Sequence, residues 1–328
     1  MQNKNILVTG GCGFIGSHLV EMLVKNGNKV TCFDRYNPNN HWGWLENSDV
    51  KDDIEVILGD IRDFDSVHNA IKGAELVFHL AALIGIPYSY VSPLAYIRTN
   101  IEGTYNVLES ARLQNTDQVI TTSTSETYGT AQYVPIDEGH PLIGQSPYSA
   151  TKISADQIAY SYFRSFDLPV KIARPFNTYG PRQSSRAIIP TIITQIIEGK
   201  GEIRIGNTSP TRDLTYVLDT CGAIIEIAKQ SEFMGDVVNI GTNSEISIKE
   251  LITKIESISG KKVKIVEDKE RIRPEKSEVE RLVSNNEKII SKTNWKPKIS
   301  LEKGLIKTFQ WFEKIDIKSL YKSDQYNV

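Results

Sequence analysis

A glutamate follows two hydroxyl residues where a predicted strand ends, in the stretch TSTSETYG at residues 122–129. Carboxylates in loops are usually solvated, so a surface position is one interpretation of Glu126. The other is catalytic, because a carboxylate held beside hydroxyls is suited to taking a proton from a bound substrate. Thr124 and Ser125 supply those hydroxyls. The motifs on either side of this stretch must decide between the two interpretations.

A tyrosine and a lysine follow with a spacing of four, in Tyr148-Ser-Ala-Thr-Lys152. On a helix this spacing puts both side chains on one face. A tyrosine with an ordinary pKa near 10 is a poor base, but a lysine ammonium and a positively charged nicotinamide ring favour the phenolate. Lys152 can also hold the nicotinamide ribose. Taken alone, this motif is as often an incidental surface pair as a catalytic one. Its position after TSTSETYG and after a dinucleotide-binding loop favours the catalytic interpretation.

The glycines Gly10, Gly13 and Gly16 lie between the first predicted strand, KNILVTG, and a helical pattern, FIGSHLVEMLVKNG. This is the context that a dinucleotide-binding loop requires. The first glycine permits a tight turn, the second lets the backbone approach a pyrophosphate, and the third lets the helix pack on the sheet. The spacing is G-x-x-G-x-x-G. Phe14 and Ile15 complete the predicted cofactor loop.

Three later strand ends carry residues suited to the rest of a dinucleotide. Asp34 ends the second strand and can accept both adenosine ribose hydroxyls, which favours NAD over NADP, although the adjacent Arg35 weakens that preference. Asp60 and Ile61 end the third strand, where a carboxylate could meet the adenine amino group. The alternative is that these are ordinary strand ends in an α/β sheet. That alternative is weaker because four strand ends in register, including the glycine loop, all carry suitable residues. Small residues end the fourth strand on the nicotinamide side: Leu80, Ala81 and Ala82.

The elements that position these residues alternate between strands and helices through the first half of the chain. This alternation predicts an α/β fold, a Rossmann-type doubly wound parallel sheet covered on both faces. Beyond Gly180 the pattern becomes mixed. We therefore predict an NAD-binding domain at residues 1–180 and a smaller mixed α/β substrate domain at residues 181–328, with the chain crossing between them. The charged segment at residues 261–284 reads as exposed and able to close over a ligand.

Composition excludes several classes of protein. The chain has 328 residues, 40% of them hydrophobic, and a formal net charge of −2. This mixed charge is unlike the basic surface of a nucleic-acid binder. No signal peptide or stretch of about 20 apolar residues is visible. The three scattered cysteines and five histidines predict neither disulfides nor a metal site, and indicate a cytoplasmic protein with no membrane partner.

The motifs TGGCGFIG, GDIRD, HLAA, YSATK, RPFNTYGPR and RDLTYV together resemble an extended short-chain dehydrogenase/reductase of the nucleotide-sugar epimerase/dehydratase group. In that group the sugar 4,6-dehydratases carry Thr-Asp-Glu or Thr-Ser-Glu after the fifth strand. The resemblance implies that Thr124 and Tyr148 bind the C4 oxygen and that Glu126 removes the C5 proton beside a transient C4 ketone. NAD would take the hydride from C4 and return it to C6. Ser125 stands where many relatives have aspartate, which leaves the proton donor to the departing hydroxyl open.

The resemblance also implies a substrate. Asn177 and Arg212 match residues that lie near the substrate diphosphate in this family, and Arg273 resembles another phosphate-binding arginine. The segments Tyr36–Glu46, with its Trp-Gly-Trp, and 179–196 are similar to the N-acetylglucosamine 4,6-dehydratases of bacterial legionaminic-acid biosynthesis. We therefore expect a nucleotide-linked N-acetylglucosamine. GDP and UDP both remain open, as does the stereochemical outcome at C5.

Three other functions stay in competition at this point. A nucleotide-sugar decarboxylase of the UDP-glucuronate type shares Thr-Ser-Glu, a 4-epimerase would leave Glu126 without a task, and an NAD-binding scaffold would not need the Tyr148–Lys152 pair. Relatives pair through two long helices each. The resemblance therefore implies a homodimer through the helices predicted to begin near Thr99 and Ser149.

Overall fold

The computed structural model describes residues 1–321. Its strands are β1 (Asn5–Thr9), β2 (Lys29–Arg35), β3 (Ile54–Gly59), β4 (Leu76–His79), β5 (Gln118–Thr122), β6 (Val170–Pro175), β7 (Asn177–Tyr179), β8 (Glu202–Ile205), β9 (Thr211–Arg212), β10 (Leu214–Tyr216), β11 (Val237–Ile240), β12 (Ile246–Ser247), β13 (Lys264–Glu267) and β14 (Arg281–Leu282). Its α-helices are α1 (Phe14–Lys25), α2 (Phe64–Ile71), α3 (Ile86–Val91), α4 (Pro93–Tyr96), α5 (Gly103–Leu113), α6 (Pro147–Phe166), α7 (Ile188–Glu198), α8 (Val217–Lys229), α9 (Ile248–Ser259), α10 (Glu287–Lys292), α11 (Leu301–Lys314) and α12 (Ile317–Leu320).

One large parallel sheet organises the described residues, with the strand order β11-β6-β5-β4-β1-β2-β3. The order reverses between β1 and β4, and ligands bind at such a reversal in open α/β sheets. Helices α2, α5 and α6 cover one face, while α1 and α8 cover the other. The predicted fold class is confirmed. The edge strand β11 comes from the second half of the chain, which therefore returns to the large sheet.

The smaller part is built from short sheets. β7 pairs with β10, β9 lies between β12 and β14, and β8 pairs with β13. Two of these pairings join chain segments more than 50 residues apart, β9 with β14 and β8 with β13. These sheets lie beside the carboxyl ends of the large sheet. They bring residues from the last third of the chain to the same cavity as the first strand.

The helix that carries Tyr148 begins where its local sequence dictates. Ser146 caps α6 by accepting a hydrogen bond from the Ser149 backbone N–H, and the Ser149 hydroxyl bonds back to Ser146. Pro147 occupies the first turn, where its missing N–H is not needed. The helix ends at Asp167 in a left-handed conformation. The first turn of α6 is thus fixed directly at Tyr148.

Three elements differ from the expectations of the sequence. The sequence QVITTSTS predicts a strand over residues 118–125, but β5 ends at Thr122, and Ser125 already belongs to a 3₁₀ turn, Ser125–Tyr128. The helix predicted from Thr99 is preceded by α4 and a π-helical turn at Ile97–Glu102. The charged segment at residues 261–284 is anchored by β13, β14 and the buried Val279, so it is not exposed throughout.

Membrane insertion through a helix has no support in the described part of the chain. Among residues 1–321, none of the helices is both long enough and apolar enough to cross a bilayer.

Candidate active site

One cavity of about 910 Å³ runs along the carboxyl ends of the central strands and into the smaller part. Its walls contain every predicted cofactor and substrate residue, from Gly10 to Arg273. Of the predicted catalytic residues, Ser125 does not line it. A single cavity of this extent can hold a dinucleotide and a second ligand end to end. The sequence motifs therefore converge on one site.

The glycine loop presents bare backbone to the cavity. Gly10 has a φ of +72°, and a Cβ there would lie 2.8 Å from the backbone nitrogen of Ala81. A Cβ on Gly16 would collide with the Gly10 carbonyl oxygen, so α1 begins directly against the loop. The first-turn N–H groups of α1 point at this space, which suits a pyrophosphate.

The carboxylates on the adenosine side are held in place by their neighbours. Asp34 accepts hydrogen bonds from the backbone N–H of Cys12 at 2.8 Å and of Arg35 at 2.7 Å. Arg62 donates a hydrogen bond from its Nε to the Asp60 carboxylate at 2.9 Å, and this hydrogen bond lowers the pKa of the Asp60 carboxyl. Both carboxylates keep acceptor capacity for a ligand. The donor set therefore fits the adenosine half of a dinucleotide.

The Ile61 loop is fixed from behind by α5. The Asn106 side chain donates to the Ile61 carbonyl at 2.9 Å, and a Cβ on Gly103 would press within 2.6 Å of the Ile61 side chain. Gly103 thus allows the helix to approach the loop closely. Leu80, Ala81 and Ala82 continue the same wall toward the catalytic residues.

Thr124, Glu126, Tyr148 and Lys152 meet where β5 ends. Burial raises the pKa of Tyr148 well above its ordinary value, and a hydrogen bond with the Thr124 side chain opposes that shift. Lys152 is buried and donates to the Thr122 carbonyl at 2.6 Å, while burial lowers the pKa of its ammonium. The phenolate expected from the sequence is therefore not favoured by the protein alone. A cationic ring bound beside Tyr148 would add the missing positive charge.

Glu126 lies in the cavity wall, nearly buried, close enough to Tyr148 and Arg212 to influence the pKa of each. It repels the Tyr148 phenolate, and it favours the charged form of Arg212. Glu126 is therefore not a solvated loop residue. A carboxylate in a cavity wall between a tyrosine and an arginine can remove a proton from a ligand there.

Ser125 lies behind this wall. It is buried, and only its neighbours on both sides line the cavity. The 3₁₀ turn causes this arrangement, because it aims Thr124 and Glu126 in one direction and Ser125 in another. Nothing in the geometry gives Ser125 contact with a ligand.

The predicted substrate residues also line the cavity. Asn177 begins β7, Arg212 ends β9, and Arg273 lies just before the 3₁₀ turn Glu275–Ser277. The Asn177 side-chain oxygen and Arg273 Nη1 are buried without a hydrogen-bond partner. Buried polar atoms that lack a hydrogen bond are costly, so these two positions suit a polar ligand. Arginine forks match phosphate oxygens well.

A buried polar network behind Glu126 escaped the sequence reasoning. The Ser123 hydroxyl donates to Asp156 at 2.5 Å, and Arg174 binds the same carboxylate at 2.9 Å. The Arg174 guanidinium lies 4.7 Å from the ring centroid of Tyr128, whose hydroxyl donates to Asn239 at 2.7 Å. These contacts hold both ends of the turn that carries Glu126. The available signal was the presence of two charged residues, Lys171 and Arg174, inside the strand VKIARP.

Glu278 also escaped notice, because it stands in a run of charged residues that reads as surface. It lines the cavity and lies 3.5 Å from both Arg212 and Arg273. Trp42 and Trp44 do not line it. Trp44 instead packs edge-on against Trp311 of α11. In residues 1–321 we found no cluster of three or more His, Cys, Asp or Glu side chains that could hold a metal ion.

Comparison with known proteins agrees with this geometry. The family described as GDP-mannose 4,6 dehydratase matches residues 7–308. A UDP-N-acetyl-alpha-D-glucosaminuronate decarboxylase of Bacillus cytotoxicus is 33% identical, with 95% of this chain and 99% of the relative covered.

Two solved structures are also similar. DesIV, a dTDP-glucose 4,6-dehydratase from Streptomyces venezuelae with NAD bound, has a TM-score of 0.88 at 27% identity, covering 98% of this chain and 100% of that one. A UDP-N-acetylglucosamine 4-epimerase from Methanobrevibacter ruminantium, in complex with UDP-N-acetylmuramic acid, has a TM-score of 0.85 at 30% identity, covering 95% and 99%. The relatives thus include a dehydratase, a decarboxylase and an epimerase.

Proposed function

Because this chain belongs to the extended short-chain dehydrogenase/reductase family of NAD-dependent nucleotide-sugar epimerases and dehydratases, we propose that it is a nucleotide-sugar 4,6-dehydratase. Its substrate would be GDP- or UDP-linked N-acetylglucosamine, and its product the 4-keto-6-deoxy sugar. One observation carries the choice of activity: the Glu126 carboxylate lies in the cavity wall beside Thr124 and Tyr148. The similarity of Tyr36–Glu46 to N-acetylglucosamine dehydratases supports the choice of sugar.

NAD is the cofactor that the site fits. The glycine loop would hold its pyrophosphate, Asp34 the adenosine ribose, Asp60 the adenine, and Lys152 the nicotinamide ribose. NAD supplies the hydride acceptor for C4 and the hydride donor for C6. Because Asp34 faces the ribose position with a carboxylate, a 2′-phosphate would be repelled.

Tyr148 begins the reaction by taking the proton of the C4 hydroxyl. The hydrogen bond with Thr124 stabilises the phenolate that accepts this proton, and Tyr148 becomes a neutral phenol as it does so. One N–H of the Lys152 ammonium donates to the Thr122 carbonyl. Its other two N–H groups can donate to the nicotinamide ribose and toward the Tyr148 phenolate. These residues together remove a proton and fix C4 for oxidation.

Glu126 then acts on C5 and C6. The C4 ketone makes the C5 hydrogen acidic, so a nearby carboxylate can take that proton. Since Ser125 does not line the cavity, the protonated Glu126 is the acid that faces the departing C6 hydroxyl, which leaves as water. C5 then regains the proton that Tyr148 took from the C4 oxygen. One proton and one hydroxyl leave together, so the atoms balance.

Mass spectrometry of the product tests this function. We expect the purified protein, incubated with UDP- and GDP-N-acetylglucosamine, to yield a product lighter by one water. Loss of carbon dioxide from a UDP-N-acetylglucosaminuronate would identify a decarboxylase, the activity for which the Bacillus cytotoxicus relative is named. No change of mass with any substrate would favour an epimerase or an NAD-binding scaffold.

Glu126→Gln separates the two halves of the reaction. We expect the variant to dehydrate about 10²–10⁴-fold more slowly, the range for loss of a general base, while still forming NADH from the C4 oxidation. Tyr148→Phe is the matched control, because it should suppress both NADH formation and dehydration. An undiminished dehydration rate in Glu126→Gln would rule out the assigned role.

We also propose that the protein is a homodimer. Large apolar side chains are exposed on α4, the π-helical turn, α5 and α6, where a partner would cover them. Light scattering of the purified protein tests this, with Leu94→Glu expected to shift the mass toward one chain. The exposed residues are Leu94, Ile97, Tyr105, Tyr160 and Phe166.

A further inference from the structure

Glu278 lies between the two arginines that face the predicted diphosphate position. One of its carboxylate oxygens is 3.5 Å from Arg212 Nη2 and 3.5 Å from Arg273 Nη1. The same oxygen accepts a hydrogen bond from the Val279 backbone N–H at 3.1 Å. The carboxylate is mostly shielded, with 14% of its side chain exposed, and it lines the main cavity.

The carboxylate of Glu278 offsets the repulsion between two neighbouring guanidinium groups. Burial lowers the pKa of Arg212, and the nearby Arg273 lowers it further, because two guanidinium groups repel each other. Glu126 opposes these effects most strongly, and Glu278 adds a further negative charge between the two guanidinium groups. It does not satisfy them fully, since Arg273 Nη1 has no hydrogen-bond partner. The pair of arginines therefore keeps donors for further oxygens.

A substrate diphosphate would bring two negative charges to the same arginines. A carboxylate left within a few ångströms of those phosphates would repel them, and shielding from water strengthens the repulsion. We propose that Glu278 competes with the diphosphate for Arg212 and Arg273 and thereby limits the affinity of the site for nucleoside diphosphates. The inference rests on the proposed nucleotide-sugar substrate and names a residue that sets its binding and release.

The backbone at this position is fixed, so the exchange involves the side chain. The Ser277 hydroxyl is 2.6 Å from the Tyr90 hydroxyl and donates to the Gln145 carbonyl at 2.7 Å. On the other side, Val279 is buried in a small apolar cluster. Glu278 can therefore leave the arginines by rotating its own side chain while the chain on either side stays in place.

A second role is physically possible and predicts the opposite result. Glu278 could orient the two guanidinium groups for phosphate, as a positioning residue does. Removing its charge would then weaken the binding of a diphosphate. If Glu278 competes, removing the charge strengthens that binding. The sign of the change decides between the two roles.

The experiment is calorimetric titration of the NAD-loaded protein with UDP, GDP and dTDP. We expect Glu278→Gln to bind the preferred nucleotide about tenfold more tightly than the unmodified protein, which corresponds to about 1.4 kcal/mol. Glu275→Gln is the matched control, because it removes the same charge from an exposed position three residues earlier. We expect it to leave the affinity unchanged.

Equal or weaker binding by Glu278→Gln would overturn the inference, and so would an equal gain in Glu275→Gln. In turnover, competition predicts a lower KM for Glu278→Gln with no increase in kcat, whereas a higher KM would contradict it. Failure of the proposed function has a different signature. In that case the unmodified protein would bind none of the three nucleotides and release no dehydrated product.

Discussion

Two acids reach the same cavity from segments that are supported very differently. Glu126 lies in a turn whose two ends are held by the buried Asp156 and Asn239. Glu278 lies in a segment at residues 273–279 whose side-chain anchor is the hydroxyl of Ser277. Both acids are near Arg212. Glu126 is thus held by buried contacts at both ends of its turn, whereas the Glu278 side chain is free to exchange its arginine partners for a ligand.

The difference follows from what each acid is proposed to do. A general base must stay within hydrogen-bond reach of one proton, so a small displacement slows the reaction. A carboxylate that competes with a ligand must instead be able to leave. The network around Arg174 supports the first requirement, and the long 3.5 Å ion pairs of Glu278 support the second. Four changes to the chain break or sharpen this comparison.

Arg174→Ala should have the largest effect, because it leaves the Asp156 carboxylate buried and unpaired. Breaking a buried ion pair typically lowers the free energy of unfolding by about 3–5 kcal/mol. Urea unfolding measured by circular dichroism would report this loss. Arg164→Ala, at an exposed position near the end of α6, the helix that carries Asp156, is the control and should cost under about 0.5 kcal/mol. Similar losses in both variants would mean that the network is not rigid.

Acid should weaken the large parallel sheet, in which His79 of β4 pairs with Thr121 of β5. His79 is buried between Thr9 and Thr104, and burial lowers its pKa to about 3. Between pH 6.5 and 3 the unfolded chain therefore binds a proton that the folded protein does not. The stability is fully present above pH 6.5 and falls as the pH drops, by up to about 1.4 kcal/mol per pH unit from this group.

Unfolding measured from pH 7 to 4 would show this fall. His79→Gln should flatten it, whereas His41→Gln, at an exposed position, should not. An equally steep fall in His79→Gln would show that other groups cause it.

Tyr128→Phe removes one hydrogen bond from the end of the 3₁₀ turn that carries Glu126 and leaves the ring beside Arg174. The Asn239 oxygen loses its donor, which should cost about 1–3 kcal/mol of stability. We also expect slower dehydration with C4 oxidation retained, so NADH should accumulate during turnover. Tyr133→Phe is the control, since its hydroxyl bonds Asp137 at the surface. A variant that lowers both partial reactions equally would show that Tyr128 does not act through Glu126.

Ser277→Ala should have the smallest effect on stability, within about 1 kcal/mol, because neighbouring contacts still hold the segment. The segment stays folded, but loss of the hydrogen bonds with Tyr90 and Gln145 should make the position of the adjacent Glu278 less exact. The KM for the nucleotide sugar should therefore rise several-fold with kcat little changed. Steady-state kinetics measures this, with Ser257→Ala on an exposed helix face as the control. A fall in kcat alone would connect this segment to the chemical step instead.

The cofactor half could be predicted from the sequence because its signals are local. A glycine loop between a strand and a helix can be recognised from the sequence because the turn at Gly10 requires glycine. The end of each parallel strand lies at one edge of the sheet, so Asp34, Asp60 and the Leu80–Ala82 stretch had to meet there. Tyr148 and Lys152 are one helical turn apart, which a sequence shows directly.

The rest depended on contacts between distant parts of the chain. Ser125 and Glu126 are adjacent, yet a 3₁₀ turn buries the first and aims the second at the cavity. Glu278 reads as one more surface charge until the pairing of β14 with β9 brings it beside Arg212.

The sequence by itself determined the alternation of strands and helices, the glycine loop and the residue types available for chemistry, because periodicity and backbone conformation are local properties. The tertiary structure decided which charges are buried, which are paired and which face the cavity. Those outcomes depend on desolvation and on Coulomb interactions between residues far apart in the chain, and neither is encoded in spacing.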